Sequence, residues 1–253
     1  MLKTRIIPKL LLSNGRNVKG VNFVNLRDTG SPVSNARIYD DLGADELIFL
    51  DISENREKRA LLFDLIKKVA QEVFMPLCVG GGVSSIVDIR NLLLSGADKV
   101  AINTAAIEIP SLISEGASIF GRQCIVVSID YRDEGDFKRV YSHGGKQATQ
   151  YDVFTFAKQM EELGAGEILL TSIDRDGTMA GYDTDTLHRL SAILNIPIIA
   201  SGGAGTLAHL VDAVKIGKAS AVAVGSLFHF TDQSPIKARS HMKVGGINVR
   251  IEC

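Results

Sequence analysis

The chain is poor in cysteine, has no long apolar run and carries no excess of either charge, and each shortage closes off a class of protein. Three cysteines, Cys78, Cys124 and Cys253, are odd in number and too widely spaced for a disulfide framework. The five histidines show no ligand spacing with them, so no metal site is expected and the thiols read as core or surface residues. No stretch approaches about 18 apolar residues, and the opening MLKTRIIPKLLLSNGR lacks both the apolar run and the small-residue cleavage pattern of a signal peptide. A cytoplasmic protein with no membrane role is the expectation. Lys and Arg number 28 against 29 Asp and Glu, which leaves no bulk basic field to gather nucleic acid or anionic lipid. Any anion site has to be built locally.

What is present, 45% hydrophobic residues in a chain of 253, can bury a substantial core. Eight short β-branched runs recur: RIIPKLLL, ELIFLDI, PLCVGGG, KVAIN, CIVVSID, EILLTSI, PIIASGG and AVAVGS. Between most of them lies a helix-period segment such as NREKRALLFDLIKKVAQEV or DVFTFAKQMEELGAG. That alternation implies parallel pairing, and eight such units fit a single (β/α)8 TIM barrel better than an open sheet. No Gly-rich fingerprint opens the first unit, which argues against a Rossmann fold. The polar segment from Arg132 to Gln150 reads as a long loop after the fifth strand and a candidate lid.

The sequence also repeats itself. GADELIFLD from Gly43 matches GAGEILLTS from Gly164, MPLCVGGGVSS from Met75 matches IPIIASGGAGT from Ile196, and GADKVAINTA from Gly96 matches GKASAVAVGS from Gly217, each at an offset of 121. IPKLL, ending at Leu11, matches VVSID, ending at Asp130, at an offset of 119. Segments in one order at nearly one offset describe two fused half-barrels, about 1–120 and 121–253.

In such a barrel the site forms at the C-terminal ends of the strands. The repeat therefore predicts two matched phosphate cradles. One comprises Gly80, Gly81 and Gly82 with Asn103 and Thr104; the other comprises Gly202 and Gly203 with Gly225 and Ser226. Glycine lets backbone N–H groups approach an anion closely. A bisphosphorylated small molecule lying across the mouth is the expected ligand. Between the cradles, the alternation Cys124, Val126, Ser128, Asp130 aims Asp130 inward as a general acid or base. At the opposite strand ends, the same counting places Arg5, Glu46, Lys99 and Glu167 inward, where two cations and two carboxylates would close a neutral ring across the barrel floor.

Nearly the whole chain resembles HisF, the cyclase subunit family of imidazole glycerol phosphate synthase. RIIP, GRNVKGV, GADELIFLDI, VGGGV, GADKVAIN, QCIVVSID, HGG, GAGEILLTSIDRDGT, GYD, IIASGGAG and INVR are similar to that family's segments, in order. The run through Asp174, Asp176 and Gly177 is highly specific. HisA, a sugar-phosphate isomerase of the same two-half design, is the nearest decoy, but is not expected to carry the floor ring. The resemblance implies a subunit that takes ammonia from a separate HisH-like glutaminase at the N-terminal face, with Asp98 as a docking contact and the floor ring as the gate. At the mouth, ammonia would attack an aminoimidazole carboxamide ribotide bearing a ribulosyl phosphate, giving imidazole glycerol phosphate and a released ribotide, with no cofactor. Asp130 matches a catalytic carboxylate of the family; Lys19, Asp51, Asn103, Thr171, Asp176 and Ser201 match residues lining its substrate site.

One short run departs from the family. Its members read C-L-D-V where this chain has Lys9-Leu10-Leu11-Leu12, so the second carboxylate is absent, and the internal repeat shows the same gap by aligning Leu11 with Asp130. Lys9 is expected to point inward one layer below, reaching toward Asp130 or carrying a depressed pKa, since a buried ammonium is costly unless paired. It would then either replace the missing group or plug the channel. Three readings follow: a cyclase working with one carboxylate, a paralogue that conducts ammonia to a sugar-amidinating enzyme of surface-polysaccharide synthesis, and a phosphate-binding barrel without an ammonia role. The conduit reading is slightly preferred on the mechanism, because Leu11 removes a catalytic group.

Overall fold

The computed structural model describes residues 3–53 and 59–250. Cys253 and the start of the NREKRALLF segment, 55–58, lie outside the described residues.

The first half runs β1 (Arg5–Ser13), β2 (Arg16–Val21), β3 (Val24–Gly30), α1 (Pro32–Asp41), β4 (Leu47–Asp51), α2 (Arg59–Ala70), β5 (Leu77–Gly80), α3 (Ile86–Leu94), β6 (Lys99–Ile102), α4 (Thr104–Glu108) and α5 (Ser111–Phe120). The second runs β7 (Ile125–Glu134), β8 (Phe137–Ser142), β9 (Gln147–Asp152), α6 (Val153–Glu162), β10 (Glu167–Ser172), α7 (Thr184–Ile193), β11 (Ile198–Ser201), α8 (Leu207–Lys215), β12 (Ala221–Val224), α9 (Ser226–Phe230) and α10 (Pro235–Val244). The eight runs expected as strands pair in parallel in the order β1-β4-β5-β6-β7-β10-β11-β12, and β12 closes on β1. This is the (β/α)8 barrel. Helix starts repeat too: the Ser85 hydroxyl accepts from the Asp88 N–H ahead of α3, and the Thr206 hydroxyl accepts from the His209 N–H ahead of α8.

Strand alternation sorts the apolar residues into two cores. Ile7, Ile48, Cys78, Ala101, Val126, Leu169, Ile199, Ala221 and Ala223 fill the barrel interior, while a larger set, including Ile6, Phe49, Val79 and Ile129, seals strands to helices. Cys78 is fully buried in the interior, where desolvation pushes its thiol pKa well up. It is an inert core thiol.

Two expectations need correcting. Residues 132–150 are not a loop: β7 runs on to Glu134 and pairs antiparallel with β8, which pairs with β9. The charged residues that disguised this ribbon face one another across it, with Asp133 opposite Lys138 in an ion pair, Arg132 opposite Arg139, and the Arg139 guanidinium 2.8 Å from Glu134. A counterpart ribbon, β2 with β3, follows β1. The third repeat segment is also in register at 122 rather than 121, because Cys78 opposes Lys99 on β6 while Ile199 opposes Ala221 on β12. The slip is absorbed before β12, where Lys218 (φ 59°) takes the left-handed conformation that Gly96 (φ 107°) takes in the first half.

Candidate functional site at the barrel mouth

The register of the barrel makes Leu11 and Asp130 equivalent. Leu11 opposes Leu50 on β4, Asp130 opposes Thr171 on β10, and Leu50 and Thr171 occupy the same place in the two halves. One half thus presents a buried isobutyl group where the other presents a carboxylate. The Asn103 amide donates to Asp130 Oδ2 at 3.3 Å and to the Ser128 carbonyl at 2.9 Å, and the Thr171 side chain hydrogen-bonds the carboxylate from the next strand. Burial pushes the Asp130 pKa up to about 6, with Lys9 opposing the shift and Asp176 adding to it. The group is mostly ionised at neutral pH, yet its proton affinity is close to the working range of a general base.

Lys9 is inward and buried, as expected, and burial depresses its pKa against the pull of Asp176. Its closest partners are not Asp130: Nζ donates to Ser201 Oγ at 2.6 Å and lies 3.7 Å from Asp176 Oδ1. Lys19, projecting from β2, donates to the other Asp176 oxygen at 2.7 Å. Burial alone would raise the Asp176 pKa, but the two ammonium groups outweigh it and hold the carboxylate ionised. Two lysines therefore share one buried carboxylate. Asp51, at the end of β4, accepts the Ser53 N–H at 2.9 Å.

The glycine turns match across the halves. A Cβ on Gly81 (φ 111°) would fall 2.1 Å from the Asp51 carbonyl oxygen, and one on Gly202 (φ 86°) would fall 2.6 Å from that of Ser172, so only glycine fits either turn. Gly82 and Gly203 also take positive φ. Asn103 (φ −110°, ψ −88°) and Gly225 (φ −112°, ψ −87°) then set the same bend before α4 and α9, ahead of Thr104 and Ser226. In the second half these turns enclose one small cavity, lined by Gly177, Gly202, Gly203, Gly225 and Ser226 together with Lys9, Lys19 and Asp176. In the first half Thr104 Oγ1 lies 3.3 Å from Asn103 Oδ1 and accepts the His143 N–H at 3.0 Å.

The floor ring closes at the other end. The Arg5 guanidinium reaches Glu46 at 2.6 Å and Glu167 at 3.0 Å, while Lys99 Nζ reaches the same pair at 2.9 and 3.0 Å. Asp98, exposed beside the ring, accepts the Leu77 N–H at 2.8 Å and so fixes the start of β5. Among the described residues no three or more His, Cys, Asp or Glu group as metal ligands, and no helix is long and apolar enough to cross a membrane.

Sequence reasoning missed three contributors. His143 reaches the first cradle through its backbone, and beside it a Cβ on Gly145 (φ 78°) would fall 3.0 Å from the Phe23 ring, so the tips of the two ribbons meet over the mouth. The HGG run was the available signal. His229, on α9, lies 3.3 Å from the Tyr39 hydroxyl through Nδ1, and burial and the charge of Lys19 lower its pKa to about 4. It is neutral at physiological pH, and no pattern in the sequence marks it.

Comparison with known proteins matches residues 5–234 to the family described as "Histidine biosynthesis protein". The imidazole glycerol phosphate synthase subunit HisF of Caulobacter vibrioides is 52% identical over 254 residues, 100% of this chain and 98% of the relative. The subunit of the same name from Dehalococcoides mccartyi is 52% identical over 252 residues, covering 100% of both. With full-length coverage at this identity and the site geometry above, the chain belongs to the HisF family of imidazole glycerol phosphate synthase subunits.

Proposed function

We propose that this chain is a HisF-type cyclase subunit, working at the barrel mouth on a bisphosphorylated ribotide with ammonia drawn from a HisH-like glutaminase. The observation that carries this is the placing of Asp130 between two glycine turns matched across the halves, with Lys19, Asp176, Thr171 and Ser201 around it. One phosphate sits on Gly81, Gly82, Asn103 and Thr104, the other on Gly177, Gly202, Gly203, Gly225 and Ser226, and Asp51 faces the chain between them. The glutaminase docks on the N-terminal face, where Asp98 is exposed. Ammonia enters through the ring of Arg5, Glu46, Lys99 and Glu167 and rises past the small side chains of Cys78, Ala101, Ala221 and Ala223.

At the mouth, ammonia attacks the ribulosyl carbonyl, whose oxygen leaves as water, and Asp130, ionised above pH 6, takes up protons as ring closure expels the aminoimidazole carboxamide ribotide. Leu11 withholds the second carboxylate, which removes on the order of 10²–10⁴ in rate. The prediction is a slow cyclase. Turnover of the ribotide by the purified chain with an ammonium salt tests this, and its loss in Asp130→Asn is the expected result.

Leu11 alone favours a second reading, in which the barrel conducts ammonia to a separate sugar-amidinating enzyme. The relatives' names do not favour it, since both are synthase subunits. A wild type with no cyclisation, restored by Leu11→Asp, would reinstate it.

A further inference from the structure

We infer that Lys9 is a second cationic ligand for the phosphate held in the C-terminal half of the mouth. The inference deepens the proposed function and rests on it for the identity of the ligand. Lys9 Nζ lies in the wall of the cavity made by the glycine turns at Gly177, Gly202, Gly203 and Gly225. In that lining two ammonium groups, those of Lys9 and Lys19, face one carboxylate, that of Asp176. Asp130 acts on Lys9 from outside the cavity.

The contacts Lys9 has are incomplete. An ammonium has three N–H donors; one goes to Ser201 Oγ at 2.6 Å, a second points to Asp176 across a longer 3.7 Å, and the third has no partner in these contacts. A buried cation so loosely paired is costly without another anion. A phosphate oxygen between Nζ and the glycine N–H groups would supply it, while Ser201 and Asp176 hold the side chain in place. Lys19 approaches the same space with its stem against Gly225, where a Cβ would fall 3.1 Å from Lys19 Cε.

The two halves differ here. By strand register the counterpart of Lys9, which opposes Ile48, is Ser128, which opposes Leu169, so the first cradle has a neutral hydroxyl at this place. The second cradle is therefore the tighter anion site, with Lys9 adding its charge to that of Lys19.

Calorimetric titration of the full chain with inorganic phosphate at fixed ionic strength tests this. Wild type should show two sites of unequal affinity. Lys9→Met, which keeps the stem and drops the charge, should weaken the tighter one by about tenfold or more, while Lys9→Arg should stay within about threefold of wild type. Should Lys9→Met fail to fold, Lys9→Gln is expected to show the same loss. An unchanged tight site in the neutral variant, or no phosphate binding by wild type, would overturn the inference. Ribotide turnover is scored separately. A chain that binds phosphate through Lys9 but does not cyclise refutes the proposed function and leaves this inference standing.

Discussion

Asp130 keeps its proton to about pH 6 because strand alternation turns its carboxylate into the barrel while Asp176 adds negative charge nearby, which Lys9 only partly offsets. A carboxyl whose folded pKa is raised stabilises the fold while protonated. That contribution is complete below the ordinary value of 3.8 and is lost as pH rises through about 6. Asp130→Asn should therefore be more stable than wild type near neutrality by on the order of 1–3 kcal/mol, the two converging near pH 4, as urea melts at several pH values would show. For catalysis the same shift predicts that kcat/KM, expressed per free ammonia, rises through an apparent pKa near 6, a limb that vanishes in Asp130→Asn along with about 10²–10⁴ of the rate. Leu11 was legible at once, from the internal repeat and the family pattern alike. The link from Lys9 to Asp176 was not, because Asp176 reaches it from the turn after β10, which no strand count could aim.

At the scale of elements, the glycine turns and the charged floor were readable because each depends on residue types that have few other uses in those places. Gly81→Ala would drive a methyl group to 2.1 Å from the Asp51 carbonyl oxygen in a backbone that L residues avoid, and Gly202→Ala would meet Ser172 at 2.6 Å. Each substitution should cost about 1–3 kcal/mol, Gly81→Ala the more, measured as a fall in denaturation midpoint with unchanged slope. The floor ring ties four strand starts together, and Glu167→Gln removes the charge that pairs with both Arg5 and Lys99. In a reconstituted complex with the glutaminase, that variant should hydrolyse more glutamine than it yields product, with ammonium-driven turnover intact; a ratio that stays at one would remove the ring's gating role. The ribbons after β1 and β7 escaped notice for a physical reason. The outer strands β3 and β9 are largely solvated and need no apolar face, and cross-strand pairs such as Asp133 with Lys138 give the second ribbon the composition of a loop.

On the scale of the whole molecule, the eight strands and their closure followed from alternating β-branched runs and amphipathic segments, and the repeat told where equivalent positions would fall. Its one error, the offset of the last segment, arose where Lys218 stands for Gly96 in a left-handed turn, a substitution that similarity of letters cannot register. The symmetry is also what exposes the asymmetry. Leu11 against Asp130, and Lys9 against Ser128, are differences between halves that otherwise share strand register, glycine turns and helix caps. The measurement that tests the account most directly is steady-state turnover of the bisphosphorylated ribotide with excess ammonium salt, for wild type beside Leu11→Asp and Asp130→Asn. The account predicts slow cyclisation by wild type, an increase in Leu11→Asp and none in Asp130→Asn. An inactive wild type restored by Leu11→Asp would contradict it, and would reinstate the reading in which the barrel conducts ammonia to another enzyme.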